Sequence, residues 1–267
     1  MSNLPVAELA ALAAALCWTF TAILAAPGVH HFGAMAFNRY RVVFAGTVLI
    51  AITSFMGLWS SVPANAMVPL IGSSLIGIVV GDTALMQALK RLGPRRNSVL
   101  FATSAPMAAG MGFIWLGETL SGDLLIGCGL ILAGVVNAVW WGRKAGGEHR
   151  LEKVSGHLGL GILLGLTAAF GQAAGAVMAK PVLLAGVDPI AASAIRVGFA
   201  ALVLLFVRAL PFAWAKANAS PTPAFVWRTI SSATLGLVLG MTLVVYALGA
   251  GEVGIVMTLS AITPVLI

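Results

Sequence analysis

The stretch GDTALMQALKRLGPRRNSVLFATSAP, Gly81 to Pro106, decides the fold, because a weaker copy returns as GMTLVVYALGAGEVGIVMTLSAITP, Gly240 to Pro264. Gly81 falls on Gly240, Thr83 on Thr242, Ala88-Leu89 on Ala247-Leu248, and Pro106 on Pro264 after a one-residue slip in the connecting loop. Upstream, Arg41-Val42-Val43-Phe44-Ala45 matches Arg196-Val197-Gly198-Phe199-Ala200. Ala14 to Pro27 likewise runs parallel to Ala168 to Pro181, which sets Trp18 opposite Gln172. Chance apolar runs do not keep a nearly constant offset, so the chain is one unit written twice.

Composition places that unit in a membrane. Hydrophobic residues make up 60% of the chain and charged residues 9%, and mean hydropathy is +1.03, far from the roughly one-quarter charged residues of a soluble domain. The formal net charge of +7 does not indicate a nucleic-acid partner, because Lys and Arg are divided among short loops and form no single stripe. Cys17 and Cys128 both lie in apolar segments without ligand spacing, so neither a disulfide nor a metal is expected. The first apolar segment, Val6 to Ala26, has no basic leader and recurs later in the chain, which reads as a retained helix.

A spanning helix needs about 20 predominantly apolar residues. On that ruler nine segments are expected, at 6–26, 33–57, 66–89, 97–117, 122–142, 157–179, 188–208, 227–249 and 253–267. Turn chemistry marks the breaks, as at Ala26-Pro27-Gly28, Gly93-Pro94 and Gly186-Val187-Asp188-Pro189. Aromatic residues gather near segment ends, among them Trp59, Trp115, Trp140-Trp141 and Trp227, at the level of lipid headgroups. The expected units are residues 1–144, a linker over 145–156, and residues 157–267. Pro264 is followed only by Val265-Leu266-Ile267, so by the repeat logic roughly 35 to 45 residues, including a tenth helix, are expected to be missing from the second copy.

Loop charges give an orientation. Lys90, Arg91, Arg95 and Arg96 lie between the third and fourth segments, Arg143, Lys144, Arg150 and Lys153 between the fifth and sixth, and Arg208, Lys216 and Arg228 around the link between the seventh and eighth. The opposite loops hold only Lys180. The positive-inside rule then puts the first set in the cytoplasm and the N-terminus outside. Five helices per copy force the copies to point in opposite senses. The expected fold is thus an all-α integral membrane protein of two inverted repeats of five transmembrane helices.

Polar groups at depth are expensive, and each one is informative. Arg41 lies about 12 Å into its helix at 1.5 Å per residue, and Asp82 lies at a similar depth, so an Arg41–Asp82 ion pair is expected. Such a pair either pins the second helix to the third or acts as a gate or proton-linked element. Arg39, nearer the interface, is expected to snorkel. Arg196 repeats Arg41, but Met241 stands where Asp82 would be. A guanidinium without its inherited acid suits a carboxylate or phosphate on a solute, or else it caps backbone carbonyls or faces a vestibule. Trp18 and Gln172, Gln87 and its counterpart Tyr246, and Thr263 are further candidates for substrate contact or for helix packing. Pro106 and Pro264 each free a carbonyl at matching places, which points to a central binding site or to packing kinks.

Nothing supports catalysis: His30-His31 have no acid or cysteine at ligand spacing, and no phosphate loop, Ser/His/Asp set or HExxH is present. No cofactor is expected.

Gln87-Ala88-Leu89, Pro106, Gly117-Glu118-Thr119-Leu120, Gly127 and Ala133-Gly134-Val135, with Tyr246-Ala247-Leu248 and Pro264 in the second copy, appear in register across essentially the whole chain. In these the chain resembles the drug/metabolite transporter superfamily, in its ten-helix EamA-type branch. The resemblance implies a multi-pass secondary transporter of the cell (inner or plasma) membrane, moving small organic solutes, amino-acid-like, nucleotide-related or drug-like, through a central cavity by alternating access. It implies export more often than import, with protons or the solute gradient as the driving force. The alternatives are an importer of the same solutes and a non-transporting membrane sensor or scaffold. No oligomeric state follows from the sequence.

Overall fold

A computed structural model describes residues 6–141, 156–211 and 216–266, and among them no strand occurs. All of the expected linker over 145–156 except Gly156, and the basic residues Arg143, Lys144, Arg150 and Lys153, fall outside the described residues, as do the side chains of Trp140 and Trp141. In hydrocarbon every backbone N–H and C=O must find an internal partner, so apolar runs of this length become helices.

The first span is α1 (Val6–Phe32), which continues through Pro27. The break expected at Ala26-Pro27-Gly28 is therefore absent, and the chain turns instead at Gly33, where φ is 85°. The Pro-Gly pair serves packing: a Cβ on Gly28 would lie 2.3 Å from Phe37 Cε2. Its counterpart behaves in the same way, with α7 (Leu158–Leu184) running through Pro181 past the end expected at 179. The second span is α2 (Ala34–Phe55). Arg39 on it is 4% exposed, with its guanidinium 5.3 Å from the Tyr40 ring centroid, so the expected snorkelling gives way to burial inside the bundle.

Ala64–Leu116 is a 53-residue apolar helical stretch, about 80 Å at 1.5 Å per residue, and so too long for one crossing. Gly93 (φ 79°, ψ 169°) followed by Pro94 folds it back on itself. The third span is α3 (Met67–Ser74), a π-helix π1 (Leu75–Asp82) and the first part of α4 (Thr83–Phe101). The fourth is the rest of α4, α5 (Ser104–Met111) and π2 (Gly112–Leu116), ending at Gly117 with φ 66°. The fifth is α6 (Gly122–Trp141).

The second unit repeats this plan. After α7 comes α8 (Pro189–Ala209), capped by Asp188, whose Oδ1 accepts from Ile190 N at 2.8 Å. The eighth span is α9 (Pro223–Ala233), π3 (Thr234–Gly240) and α10 (Met241–Ala250), and the ninth is α11 (Val253–Ser260) with α12 (Thr263–Leu266). The π-helices π1 and π3 begin at repeat-matched residues, Leu75 and Thr234. The helix also breaks at Ala102-Thr103 before Pro106 and at Ala261-Ile262 before Pro264.

Packing exchanges the units. α2 lies on its counterpart α8, α1 lies on π3 and α10, and α7 lies on π1 and α4. α5 packs on α7 as α11 packs on α1. Each contact has a mate with the units swapped, as a two-fold axis requires, and the five spans of the first unit turn the second upside down. Small residues permit the close approach: Ala11, Ala14, Ala168 and Ala173 are fully buried, and a Cβ on Gly46 would lie 3.3 Å from Gly198 Cα. The outer surface carries Phe55, Phe113, Trp115, Leu202 and Phe206, all exposed, an apolar exterior that only lipid can solvate.

Candidate solute site between the repeats

Where the units meet, a cavity encloses about 70 Å³ of water-accessible space. Trp18 and Arg41 come to it from the first two spans, Asp82, Leu85 and Met86 from the third, and Asn97, Ser98 and Phe101 from the fourth. Gln172, Gly236, Met241 and Thr263 line it from the second unit. Leu89 and Asn97, which flank the Gly93 turn, place the cavity toward the end of the bundle that carries that turn. The other end is packed with buried Ala7, Ala11, Ala105, Ala108 and Val253.

The expected ion pair forms, with Arg41 Nη1 3.4 Å from Asp82 Oδ2. The same nitrogen lies 3.4 Å from Asn38 Oδ1 and 3.3 Å from Met86 Sδ, and Asn38 Nδ2 donates to Thr83 Oγ1 at 3.2 Å. Arg41 reaches across the two-fold as well, since a Cβ on Gly236 would lie 2.9 Å from its Nη2. The indole Nε1 of Trp18 donates to Gly236 O at 3.1 Å, a bond to the carbonyl of a π-helical residue, and its ring meets Phe101 edge-on at 6.1 Å. Asn97 Oδ1 is buried without a partner. The lining thus offers an apolar, aromatic body with few polar groups, the usual make-up of small-molecule sites.

Trp18, Gln172, Thr263, Arg41 and Asp82 are brought together. Gln87 and Tyr246 are not. Gln87 accepts from Arg91 Nη1 at 3.2 Å, and Tyr246 is 45% exposed in an outer hollow beside Ser60 and Asp188. The cause is helical phase: Leu85, Met86 and Leu89 take the cavity face of α4, and the repeat carries the outward position of Gln87 over to Tyr246. Pro106 and Pro264 lie outside the lining, although Thr263 beside the second proline belongs to it. Arg196 is 2% exposed and sits just behind the wall, its Nη1 3.5 Å from Met241 Sδ.

Asn38, Asn97 and Ser98 were missed by reasoning from sequence. The signal available was their spacing from Arg41 and from the Gly93-Pro94 turn. Also missed was a buried ion pair at the packed end, where Lys180 Nζ pairs with Glu118 and donates to Gly251 O at 2.8 Å. Glu118 Oε2 accepts from Val253 N at 2.8 Å, so one carboxylate ties α7 and the start of α11 to the end of the fourth span.

Two inverted helical units that enclose a cavity at their seam, inside a lipid-facing exterior, have the architecture of a multi-pass membrane carrier. Residues 5–140 and 159–267 match the model of the EamA-like transporter family. The chain belongs to that family, whose members carry small solutes across membranes. A solved structure described as "Crystal structure of protein" is similar over 97% of this chain and 85% of that chain, with a TM-score of 0.74 at 19% identity, a likeness of fold. Curated proteins return no match.

Proposed function

We propose that the protein exports small organic metabolites across the cytoplasmic membrane by alternating access. The observation that carries this reading is the cavity itself, built from both units and closed at one end only by helix packing and the Glu118–Lys180 pair. Rocking of the units about their two-fold would move the opening from one end to the other. The cavity approaches the Gly93 turn, beside Lys90, Arg91, Arg95 and Arg96. By the positive-inside rule this end faces the cytoplasm, so solute enters from within, which favours export.

At about 70 Å³ the cavity is below the roughly 300–1,000 Å³ of ligand sites, so loading a metabolite requires the units to part. Trp18 and Phe101 hold the apolar part of the solute, while Gln172, Asn97 and Thr263 meet its polar part. Asp82, paired with Arg41, is the acid positioned for proton exchange. Flux of candidate solutes in proteoliposomes tests the reading: Trp18→Ala and Gln172→Ala should each lower flux at least tenfold while the protein elutes as wild type. Wild-type flux in both would remove this cavity from the transport path.

A further inference from the structure

We infer that Arg196 is a concealed receptor for a solute of net charge −1, covered in this conformation by Met241. The inference rests on the transport reading and adds the chemical class of the solute. Arg196 is 2% exposed, its Nε has no hydrogen-bond partner, and no carboxylate among the described residues lies within ion-pair distance. Among the described residues the polar contact of its guanidinium is a thioether, Met241 Sδ at 3.5 Å from Nη1. A buried cation is costly unless an anion joins it, and Arg41 shows what the missing partner is. Arg41 has Asp82 at 3.4 Å, whereas the repeat-matched position beside Arg196 holds Met241.

Access to the guanidinium is nearly open. Met241 lines the cavity, and so does Gly77, where an added Cβ would lie 3.4 Å from Arg196 Nη2. Methionine is unbranched, with three rotatable bonds. Rotation of one side chain would therefore bring the guanidinium into the wall of the cavity that Trp18 and Phe101 also line. Because Arg41 and Asp82 neutralise each other, Arg196 is left as the unmatched positive charge among the described residues around the cavity. A monocarboxylate with an apolar body balances it, and a dianion would overshoot.

The experiment uses purified full chain and three probes of one shape: benzoate, benzamide and benzylamine. Affinity is read by calorimetry and by ligand-dependent thermal stabilisation. Benzoate should bind at least tenfold more tightly than the other two. Met241→Ala, which uncovers the guanidinium, should strengthen benzoate binding several-fold, and Met241→Asp, which supplies an internal counter-ion, should weaken it at least tenfold. Met241→Asp recreates the arrangement of Arg41 with Asp82 and so retains the fold, where Arg196→Gln alone would leave loss of binding open to a folding defect. Equal binding of benzoate and benzamide, no binding of benzoate to wild type or Met241→Ala, or indifference of benzoate binding to Met241→Asp would overturn the assignment. Since binding is measured without flux, failure of benzoate to bind would refute the anion site and leave the transporter reading to its own test by flux.

Discussion

At the scale of single residues, the cost of burying charge explains why the two arginines differ. Arg41 is 2% exposed and shares Asp82 and Asn38, so removing one member leaves the other charge stranded. Arg41→Ala or Asp82→Asn should each cost about 3–5 kcal/mol, read as a lowered midpoint in thermal unfolding. The double replacement Arg41→Met with Asp82→Leu should cost less than the sum of Arg41→Met and Asp82→Leu alone, and additive losses would mean that the pair is not coupled. Arg41 and Asp82 were legible in the sequence because charge in an apolar run is rare and both lay at one depth. Gln87 and Tyr246 were misplaced because the repeat reports which positions correspond but not which helix face they occupy. The phase of a helix apolar on every side is set by its neighbours. Asn97 escaped because a polar residue three positions after Gly93-Pro94 reads as part of a turn, whereas the reversal is made by Gly93 alone and helix has resumed by Pro94.

At the scale of elements, glycine sets the distances between spans. Gly171 on α7 faces π1, where an added Cβ would lie 2.7 Å from Ile76 O and 2.9 Å from Gly81 Cα, both backbone atoms unable to step aside. Gly171→Ala should therefore cost about 1–3 kcal/mol by overpacking. Gly110→Ala, with nothing within 4 Å, should be neutral or better, and a comparison of the two melting curves checks this. At the packed end, Lys180→Met should strand the buried Glu118 carboxylate and lower stability by about 3–5 kcal/mol, with Glu118→Gln milder because its amide oxygen still accepts from Val253 N. Among the described residues the nine apolar segments were legible from hydropathy, the fifth and ninth of them as shorter helices, and the Gly93 reversal from its Gly-Pro pair. The continuation of α1 through Pro27 and of α7 through Pro181 was not. A proline removes one hydrogen bond from a helix but does not end it when the surroundings offer no water to the alternative. The π-helices were invisible as well, since one extra residue per turn leaves no mark on composition, yet they present Gly77 and Gly236 to the two arginines.

At the scale of the whole molecule, symmetry and its departures set the architecture. The offset between copies foretold two units, and their odd helix number foretold the inversion that the exchanged contacts of α2 with α8, α1 with α10 and α7 with α4 embody. What the sequence held back was the position of the cavity along the bundle, which depends on how tightly small residues close the opposite end. The central claim is that the cavity at the seam faces alternate sides of the membrane in turn. With Cys17 and Cys128 replaced by alanine, a single cysteine at Ser98→Cys, on the cavity wall and outside the proposed solute contacts, should react in proteoliposomes of known orientation with a membrane-impermeant thiol reagent from the side of the Gly93 turn at rest. It should become reactive from the opposite side when a transported solute is supplied. Reaction from one side only, whatever the solute conditions, would contradict alternating access through this cavity.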